Sequence, residues 1–317
     1  MAAEEAAARV ERALSSVSNV DCSALTLREI GGAVIRSNSP DFKAAWTVAA
    51  YKHFFLGADT QEVLHLGACV AIGEGDRPQV EGLTLVHPSK MPNIGKGGSV
   101  KSQAMMLHAL VHVELAAVDL SWDIIVRDWG AAAAELLPSQ FYLDWLQVAF
   151  EECKHYLVLR ARLRELVDDR TVGHAPTTYD YGSFPCHDGI WNDALKTAGS
   201  LLDRLVLEHC THEARGIDVC FLTTIPRFRR GGDEASADLL ELVVLADEVD
   251  HVRKGLKYYK QVYESGREFP DSQECSEEEF VRSFRETQER VYGGGHARGP
   301  FASDLRRQAG FTAAYYC

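Results

Sequence analysis

The chain has 317 residues, of which 46% are hydrophobic and 25% are charged; this composition is ordinary for a globular protein, and the length allows a large buried core. The formal net charge of −13 argues against a broad phosphate-binding surface, so nucleic acid is not expected as a partner. Because no run of about 18 consecutive apolar residues occurs, no membrane-spanning helix is predicted.

The cysteines and the N-terminus indicate a compartment. Eight cysteines are scattered along the chain without a C-x-x-C pair, which favours reduced intracellular thiols over a disulfide framework or a zinc site. Segment 1–6 is acidic, and the N-terminal region lacks the apolar run of a secretory signal and the arginine-rich character of an organelle presequence. We therefore expect a cytoplasmic protein.

The first hundred residues are expected to form helices and a loop that pack on the remainder of the chain. Segments 1–17, 39–56 and 60–72 each have the composition of a helix. From residue 73 to 100, Gly, Pro and polar residues dominate, which predicts a long loop. This gives a first region, 1–100.

The second region, 101–265, is predicted to contain four long helices, at 101–127, 139–166, 189–222 and 235–263. The irregular segment 167–188 lies between the second helix and the third. Ferritin-like bundles have one long crossover, and this is where that topology requires it. We therefore predict a ferritin-like four-helix bundle over 101–265.

The third region, 266–317, is a tail in which 277–292 and 303–308 are expected to be helical. No segment shows a clear strand pattern. The fold class predicted from the sequence is therefore all-α, with extra N-terminal helices and a C-terminal tail added to the bundle.

Two Glu-x-x-His motifs, each following a lone glutamate, carry the chemistry of this chain. Glu114 precedes Glu152-Cys153-Lys154-His155, and Glu213 precedes Glu248-Val249-Asp250-His251. This is the ligand pattern of a di-iron or di-manganese carboxylate site in a four-helix bundle. A Glu and a His three residues apart share one helix face, and each motif helix is otherwise apolar on that face. The predicted metal ligands are Glu114, Glu152, His155, Glu213, Glu248 and His251.

The residue types also suit the metal. Carboxylates can bridge and neutralise two divalent ions, and one neutral imidazole per ion suits iron. The expected cofactor is a pair of iron ions, with manganese as the alternative. The competing interpretation is a set of paired structural acids, but no Lys or Arg lies on the same helix faces to pair with them.

Three further points concern the neighbours of these ligands. At α-helical spacing Glu208 falls on a more polar face than Glu213, so Glu213 is the preferred ligand. Acidic residues that could orient the imidazoles are Asp247, Asp250 and Asp218, which the sequence does not rank. His209 shares the face of Glu213 and is an alternative extra ligand or hydrogen-bond donor.

Several segments together resemble a known protein family. They are 112–120, 144–155, 181–191, 213–218, 247–252, 299–301 and 309–311. They are similar to the ferritin-like family catalogued as the domain of unknown function 455, and the resemblance runs from Leu83 to the end. It implies a relation to tRNA-modifying di-iron hydroxylases of the MiaE type and, more distantly, to ferritins and ribonucleotide reductase small subunits. It also implies Glu213 rather than Glu208 as the ligand.

We expect from these observations an O₂-dependent oxidoreductase that hydroxylates or desaturates an organic substrate and takes electrons from a partner reductase. The alternatives are a non-enzymatic ferritin-like protein that binds or buffers metal, and a metal-free helical scaffold. A large storage shell does not fit the added N-terminal helices and tail, so a monomer or dimer is expected. The substrate is not specified by the sequence.

Overall fold

The computed structural model describes residues 2–57, 64–73, 76, 80–168, 177–266, 275–292 and 299–317. Within these ranges the chain is mostly helical, which confirms the all-α prediction. The strands found there are β1 (Val167–Asp168) and β2 (Thr177–Thr178), which pair antiparallel. No helix in the described ranges has the length and apolarity needed to cross a bilayer.

The α-helices differ greatly in length and are, in chain order, α1 (Ala2–Ser15), α2 (Leu27–Arg36), α3 (Pro40–Ala50), α4 (Val100–Val126), α5 (Ala131–Leu136), α6 (Ser139–Glu165), α7 (Gly189–Lys196), α8 (Leu201–Val206), α9 (Glu213–Val219), α10 (Ile225–Arg230), α11 (Glu234–Leu239), α12 (Leu245–Ser265), α13 (Glu277–Tyr292) and α14 (Ser303–Gln308). π-Helical segments follow four of them, at Tyr51–Leu56, Leu207–His212, Cys220–Thr224 and Leu240–Val244.

Four long helices form the centre of the fold. Helices α4 and α6 contact each other extensively. The third bundle helix is the unbroken run 201–230, in which π-helical turns join α8, α9 and α10. The fourth bundle helix is the run 234–265, in which a π-helical turn joins α11 to α12. Helix α12 contacts both the third bundle helix and α6, so the four helices make one bundle.

The N-terminal helices pack against the bundle. Helices α1 and α3 contact α6, and α2 contacts α4. At the other end of the chain, α14 contacts α9 and α12. The division into regions 1–100, 101–265 and 266–317 stays a prediction.

Buried carboxylates join the bundle helices to one another through an ion pair and a hydrogen bond. Asp123 of α4 accepts hydrogen bonds from Arg127 at 2.6 and 3.0 Å and from Arg204 of α8. The side chains of Asp123 and Arg204 have no exposed surface. Asp144 of α6 accepts from the Tyr258 hydroxyl of α12 at 2.6 Å. The first contact joins α4 to the third bundle helix, which carry the lone glutamates. The second joins α6 to α12, which carry the two Glu-x-x-His motifs.

The helix predicted at 60–72 is wrong where it can be compared. Residues 60–63 lie outside the described residues, and residues 64–72 are not helical. Their backbone groups bond to distant segments instead: His65 O accepts from Leu27 N at 3.0 Å, and Val70 N donates to Val126 O at 2.8 Å. This segment lies against α2 and the end of α4.

Helix α2 was not predicted, although its sequence carries a start signal. Thr26 and Glu29 form a capping box, in which each side chain bonds to the backbone N–H of the other residue. The adjacent Gly31 and Gly32 are poor helix formers and obscured the pattern. A Cβ atom on Gly31 would lie 2.5 Å from Val126 Cγ1, so glycine allows α2 to approach α4 closely.

The third predicted helix, 189–222, is interrupted and continues further than expected. Helix α7 ends at Lys196, and a new helix begins after Ser200, whose side chain accepts a hydrogen bond from Asp203 N at 3.2 Å. The run then continues to Arg230 rather than ending at 222. The other predicted helices, at 1–17, 39–56, 101–127, 139–166, 235–263, 277–292 and 303–308, are confirmed with small shifts of their ends.

We predict that Asp123→Ala lowers the free energy of unfolding by about 3–5 kcal/mol, because two buried guanidinium groups lose their counter-charge. The measurement is urea-induced unfolding followed by circular dichroism. The control is Asp304→Asn, which removes an exposed pair with Arg307 and should change stability by less than about 1 kcal/mol. Equal effects of the two substitutions would contradict the structural role given to Asp123.

Candidate metal centre

The six residues of the Glu and Glu-x-x-His pattern meet inside the bundle. Glu114 lies midway along α4, Glu152 and His155 on α6, Glu213 at the start of α9, and Glu248 with His251 on α12. Five of the six are buried, and Glu213 is partly exposed. The third and fourth bundle helices therefore complete a site that α4 and α6 begin.

The side chains form two overlapping groups, in each of which one ligand atom per residue lies within 4.8 Å of all the others. The first group is Glu114, Glu152, His155 and Glu248; the second is Glu152, Glu213, Glu248 and His251. The glutamates of both Glu-x-x-His motifs belong to both groups. Each group has three carboxylates and one imidazole, so this buried cluster could hold metal ions.

The imidazoles turn the same ring atom towards the carboxylates. His155 Nδ1 lies 3.3 Å from Glu114 Oε2 and 3.5 Å from Glu152 Oε2. His251 Nδ1 lies 3.0 Å from Glu152 Oε1. Neither Nδ1 atom, and neither oxygen of Glu152, makes a hydrogen bond of acceptable geometry with the described residues. Buried polar atoms rarely lack a hydrogen-bond partner, and cations bound in the two ligand groups would satisfy all four of these atoms.

The opposite ring atoms are held by carboxylates from the other motif. His155 Nε2 lies 2.8 Å from Asp247 Oδ2, and His251 Nε2 lies 3.0 Å from Glu151 Oε2. An ionised carboxylate can only accept a hydrogen bond, so Nε2 of a neutral imidazole must carry the hydrogen. The lone pair of Nδ1 is then available to coordinate a metal ion. Lys154 Nζ lies 2.5 Å from the same Asp247 oxygen.

Of the three acids predicted to orient an imidazole, only Asp247 contacts an imidazole of the two motifs in the structure. Asp250 pairs with Arg253 and Lys254 on its own helix. Asp218 instead binds the Arg306 guanidinium and the Ala302 N–H of the C-terminal tail. Glu151 was missed, yet a signal was present: an acid directly precedes the glutamate of each motif, as Glu151-Glu152 and Asp247-Glu248.

Burial and crowding shift the protonation of the cluster. Burial raises the pKa of Glu114 to about 8, although His155 acts in the opposite direction. Burial and the neighbouring Glu152 raise the pKa of Glu248 well above its ordinary value. Burial alone would lower the pKa of His155, but the hydrogen bond with Asp247 and the nearby carboxylate of Glu114 outweigh it and raise that pKa. The metal-free cluster therefore retains protons that metal ions would displace.

π-Helical turns flank the ligands of the third and fourth bundle helices. Leu207–His212 directly precedes Glu213, and Leu240–Val244 ends four residues before Glu248. In the first of these turns the Thr211 hydroxyl donates to Val206 O at 2.7 Å. Such turns are rare in proteins overall, but they often occur at functional sites. They change which residues share a helix face.

This change of face corrects the expectation for Glu208. An α-helix would turn Glu208 and Glu213 to different sides, and the side of Glu208 was expected to be polar and wet. In a π-helical turn, residues five apart lie nearly above one another. Glu208 is 98% buried and lines the same cavity as Glu213.

The histidines outside the two motifs have other surroundings. His209 is buried with its ring centroid 4.1 Å from that of Trp145, and it belongs to neither ligand group. His112 contacts the Tyr181 hydroxyl at 2.7 Å, and His108 Nε2 accepts from Gly182 N at 2.9 Å. These last two fasten the segment before α7 to α4.

A cavity of about 150 Å³ reaches the cluster from one side. Glu114, Glu152, Glu213 and Glu248 line its polar end. Its remaining wall is mainly apolar and includes Leu110, Val113, Ala117, Leu120, Ile190, Leu240 and Val244. A small apolar molecule in this cavity would lie next to bound metal ions.

We predict that Asp247→Asn and Glu151→Gln each weaken metal binding about 10–100-fold, because the imidazole loses the carboxylate that orients it. The measurement is titration of the metal-free protein with Mn(II). The control is Asp250→Asn, which removes an acid of the same helix that contacts neither imidazole. Unchanged affinity in the first two variants would contradict the orienting role.

The pKa shifts also predict how stability varies with pH. Groups whose pKa is raised by folding, as for Glu114, Glu248 and the two motif histidines, favour the folded state at low pH and lose that contribution as pH rises through the folded pKa. For Glu114 the window extends from 4.5 to about 8. The contribution of these groups to the stability of the metal-free protein should therefore be smaller at pH 8 than at pH 5.5.

Metal ions would neutralise the same carboxylates, so the melting temperatures of metal-loaded and metal-free protein should differ more at pH 8 than at pH 5.5. Differential scanning calorimetry at both pH values measures this difference. Identical melting curves with and without metal at pH 8 would show that the cluster is not a metal site.

Comparison with known proteins identifies a family and a relative. An "Uncharacterized protein" of Haemophilus influenzae (strain ATCC 51907 / DSM 11121 / KW20 / Rd) is 30% identical over 230 residues, which are 72% of this chain and 71% of that protein. No solved structure matches the chain significantly. The sequence profile described as "Protein of unknown function (DUF455)" matches residues 36–317, and thus begins earlier than the resemblance expected from Leu83. The chain belongs to this DUF455 family.

Proposed function

We propose that this protein is a di-iron carboxylate oxidoreductase that uses O₂ to hydroxylate or desaturate an organic substrate. The observation that carries the proposal is the pair of overlapping ligand groups that share Glu152 and Glu248. Two sites that share two carboxylates suit two ions held close together. That is the arrangement expected of a ferritin-like bundle with this motif, and we propose that relation, including the one to MiaE-type hydroxylases.

The donor set supports iron, with manganese as the alternative. Each group offers three carboxylates and one imidazole, which are ligands for Fe(II) and Mn(II) rather than for Cu(I) or structural zinc. Two divalent ions would also cancel the charge of the four carboxylates. The fit between residues and ions is therefore both geometric and electrostatic.

Two iron ions bound here would supply reduction of O₂ and oxidation of a substrate. The chain's own residues have separate tasks. Asp247 and Glu151 orient the two imidazoles, and the largely apolar cavity excludes water from the substrate. Glu213 is the most exposed of the six and also lines the cavity, so a molecule that enters could contact it. We further propose that a partner reductase provides the electrons.

The cysteines support a reducing compartment. None of the eight forms a disulfide bond in the structure, and five of them are buried. Burial raises the pKa of Cys153 to about 12 and that of Cys186 to about 12, so these thiols are unreactive near neutral pH. We therefore retain the cytoplasm as the proposed location and a monomer or dimer as the proposed state.

The test is metal analysis followed by O₂ consumption. The wild-type chain, purified from iron-rich cells or reconstituted anaerobically with Fe(II), should contain about two iron or manganese ions, as two ligand groups require. Glu152→Ala/Glu248→Ala should contain none, because both groups lose the residues they share. Glu135→Gln, on the exposed side of α5, is the control and should bind metal like the wild type.

The metal-loaded, chemically reduced wild type should then consume O₂, and the double variant should not. No bound metal in the wild type would contradict the proposal and favour a helical scaffold. Metal binding without O₂ consumption under any reductant would favour a metal-buffering protein instead.

A further inference from the structure

One carboxylate in the cavity has no hydrogen-bond partner among the described residues and lies outside both ligand groups. Glu208 is 2% exposed, and neither of its carboxylate oxygens makes a hydrogen bond to the described residues. It lines the cavity together with Glu213 and Glu114. It belongs to neither ligand group and to no other group of three or more candidate metal ligands in the described part of the chain.

Arg204, on the same helix, makes no hydrogen bond to this carboxylate. Arg204, four residues earlier, uses Nε for Thr197 Oγ1 at 2.8 Å and Nη2 for Ala194 O at 2.6 Å. Its Nη1 donates to Asp123. The guanidinium is thus hydrogen-bonded to other acceptors, although its positive charge partly opposes the rise in the pKa of Glu208.

Charge balance makes this residue unusual. Two divalent ions would neutralise the four carboxylates of the ligand groups, and Glu208 would remain as the uncompensated acid of the cavity. Burying a carboxylate without a partner is costly. Burial raises the pKa of Glu208 to about 8, which is the response expected of a carboxyl group that lacks a cation.

We propose that Glu208 binds a protonated amine of the substrate, and that the substrate class of this centre is a small apolar molecule bearing one basic nitrogen. The proposal rests on the proposed function, since it takes the cavity beside the metal ions as the substrate site. The ammonium group would donate to the two free oxygens, and the apolar body would lie along Leu110, Val113 and Val244. A charge-assisted hydrogen bond in a water-poor cavity is the strongest contact that this wall can offer.

This binding role for Glu208 would also give the π-helical turn a function. Leu207–His212 brings Glu208 and Glu213 to the same cavity. The nitrogen would thus be held on one side, and the carbon to be oxidised would be held near the metal ions on the other.

The test compares three probes of equal length with the metal-loaded full chain: hexylamine, 1-hexanol and hexanoate. Isothermal titration calorimetry at pH 7.5 should show hexylamine binding at least about tenfold more tightly than 1-hexanol, and hexanoate binding most weakly. In Glu208→Gln the preference for the amine should disappear while the metal content stays at the wild-type value. In the control variant Glu135→Gln, at an exposed position, both the preference for the amine and the metal content should match the wild type.

Equal affinities of wild type for the amine and the alcohol would overturn the inference without any variant being needed. Loss of metal from Glu208→Gln would also overturn it, because Glu208 would then be a ligand. A wild-type chain that binds no metal would contradict the proposed function instead. Equal probe affinities measured on a chain that holds two ions would contradict only the role of Glu208.

Discussion

The burial of four carboxylates and two imidazoles between four helices is the constraint on which the rest of the structure depends. Carboxylates placed this close together repel one another, and burial removes the water that would screen them. Without a compensating cation the cluster must hold protons, as the raised pKa of Glu114 and of Glu248 indicates. A bundle that carries this cluster is therefore built either to bind metal or to tolerate a large electrostatic cost.

The surroundings of the cluster are organised to keep its geometry fixed. The two motif helices exchange contacts crosswise, since Asp247 of α12 binds His155 of α6 and Glu151 of α6 binds His251 of α12. The buried Asp123 and Arg204 join α4 to the third bundle helix. A displacement of one bundle helix would thus disturb an imidazole or a buried ion pair as well as a ligand. This is how a helical scaffold can hold six side chains in a defined arrangement.

Much of this could be predicted from the sequence, because the relevant signals are periodic. The two Glu-x-x-His motifs lie on long helices with apolar faces, and such helices keep their phase. Glu208 could not be placed correctly, because its position depends on a π-helical turn that does not follow the α-helical period. Glu151 was overlooked because its role depends on a contact across two helices. The extended segment 64–72 depends on hydrogen bonds to α2 and α4, which composition does not reveal.

The most direct test of the central claim is whether two bound ions share Glu152 and Glu248. Electron paramagnetic resonance of the chain loaded with Mn(II) measures magnetic coupling, which requires bridged or closely spaced ions. The structure predicts about two Mn(II) per chain with an exchange-coupled spectrum, as the two shared carboxylates require. The six-line spectrum of isolated Mn(II), or a single ion per chain, would contradict a bridged two-metal centre.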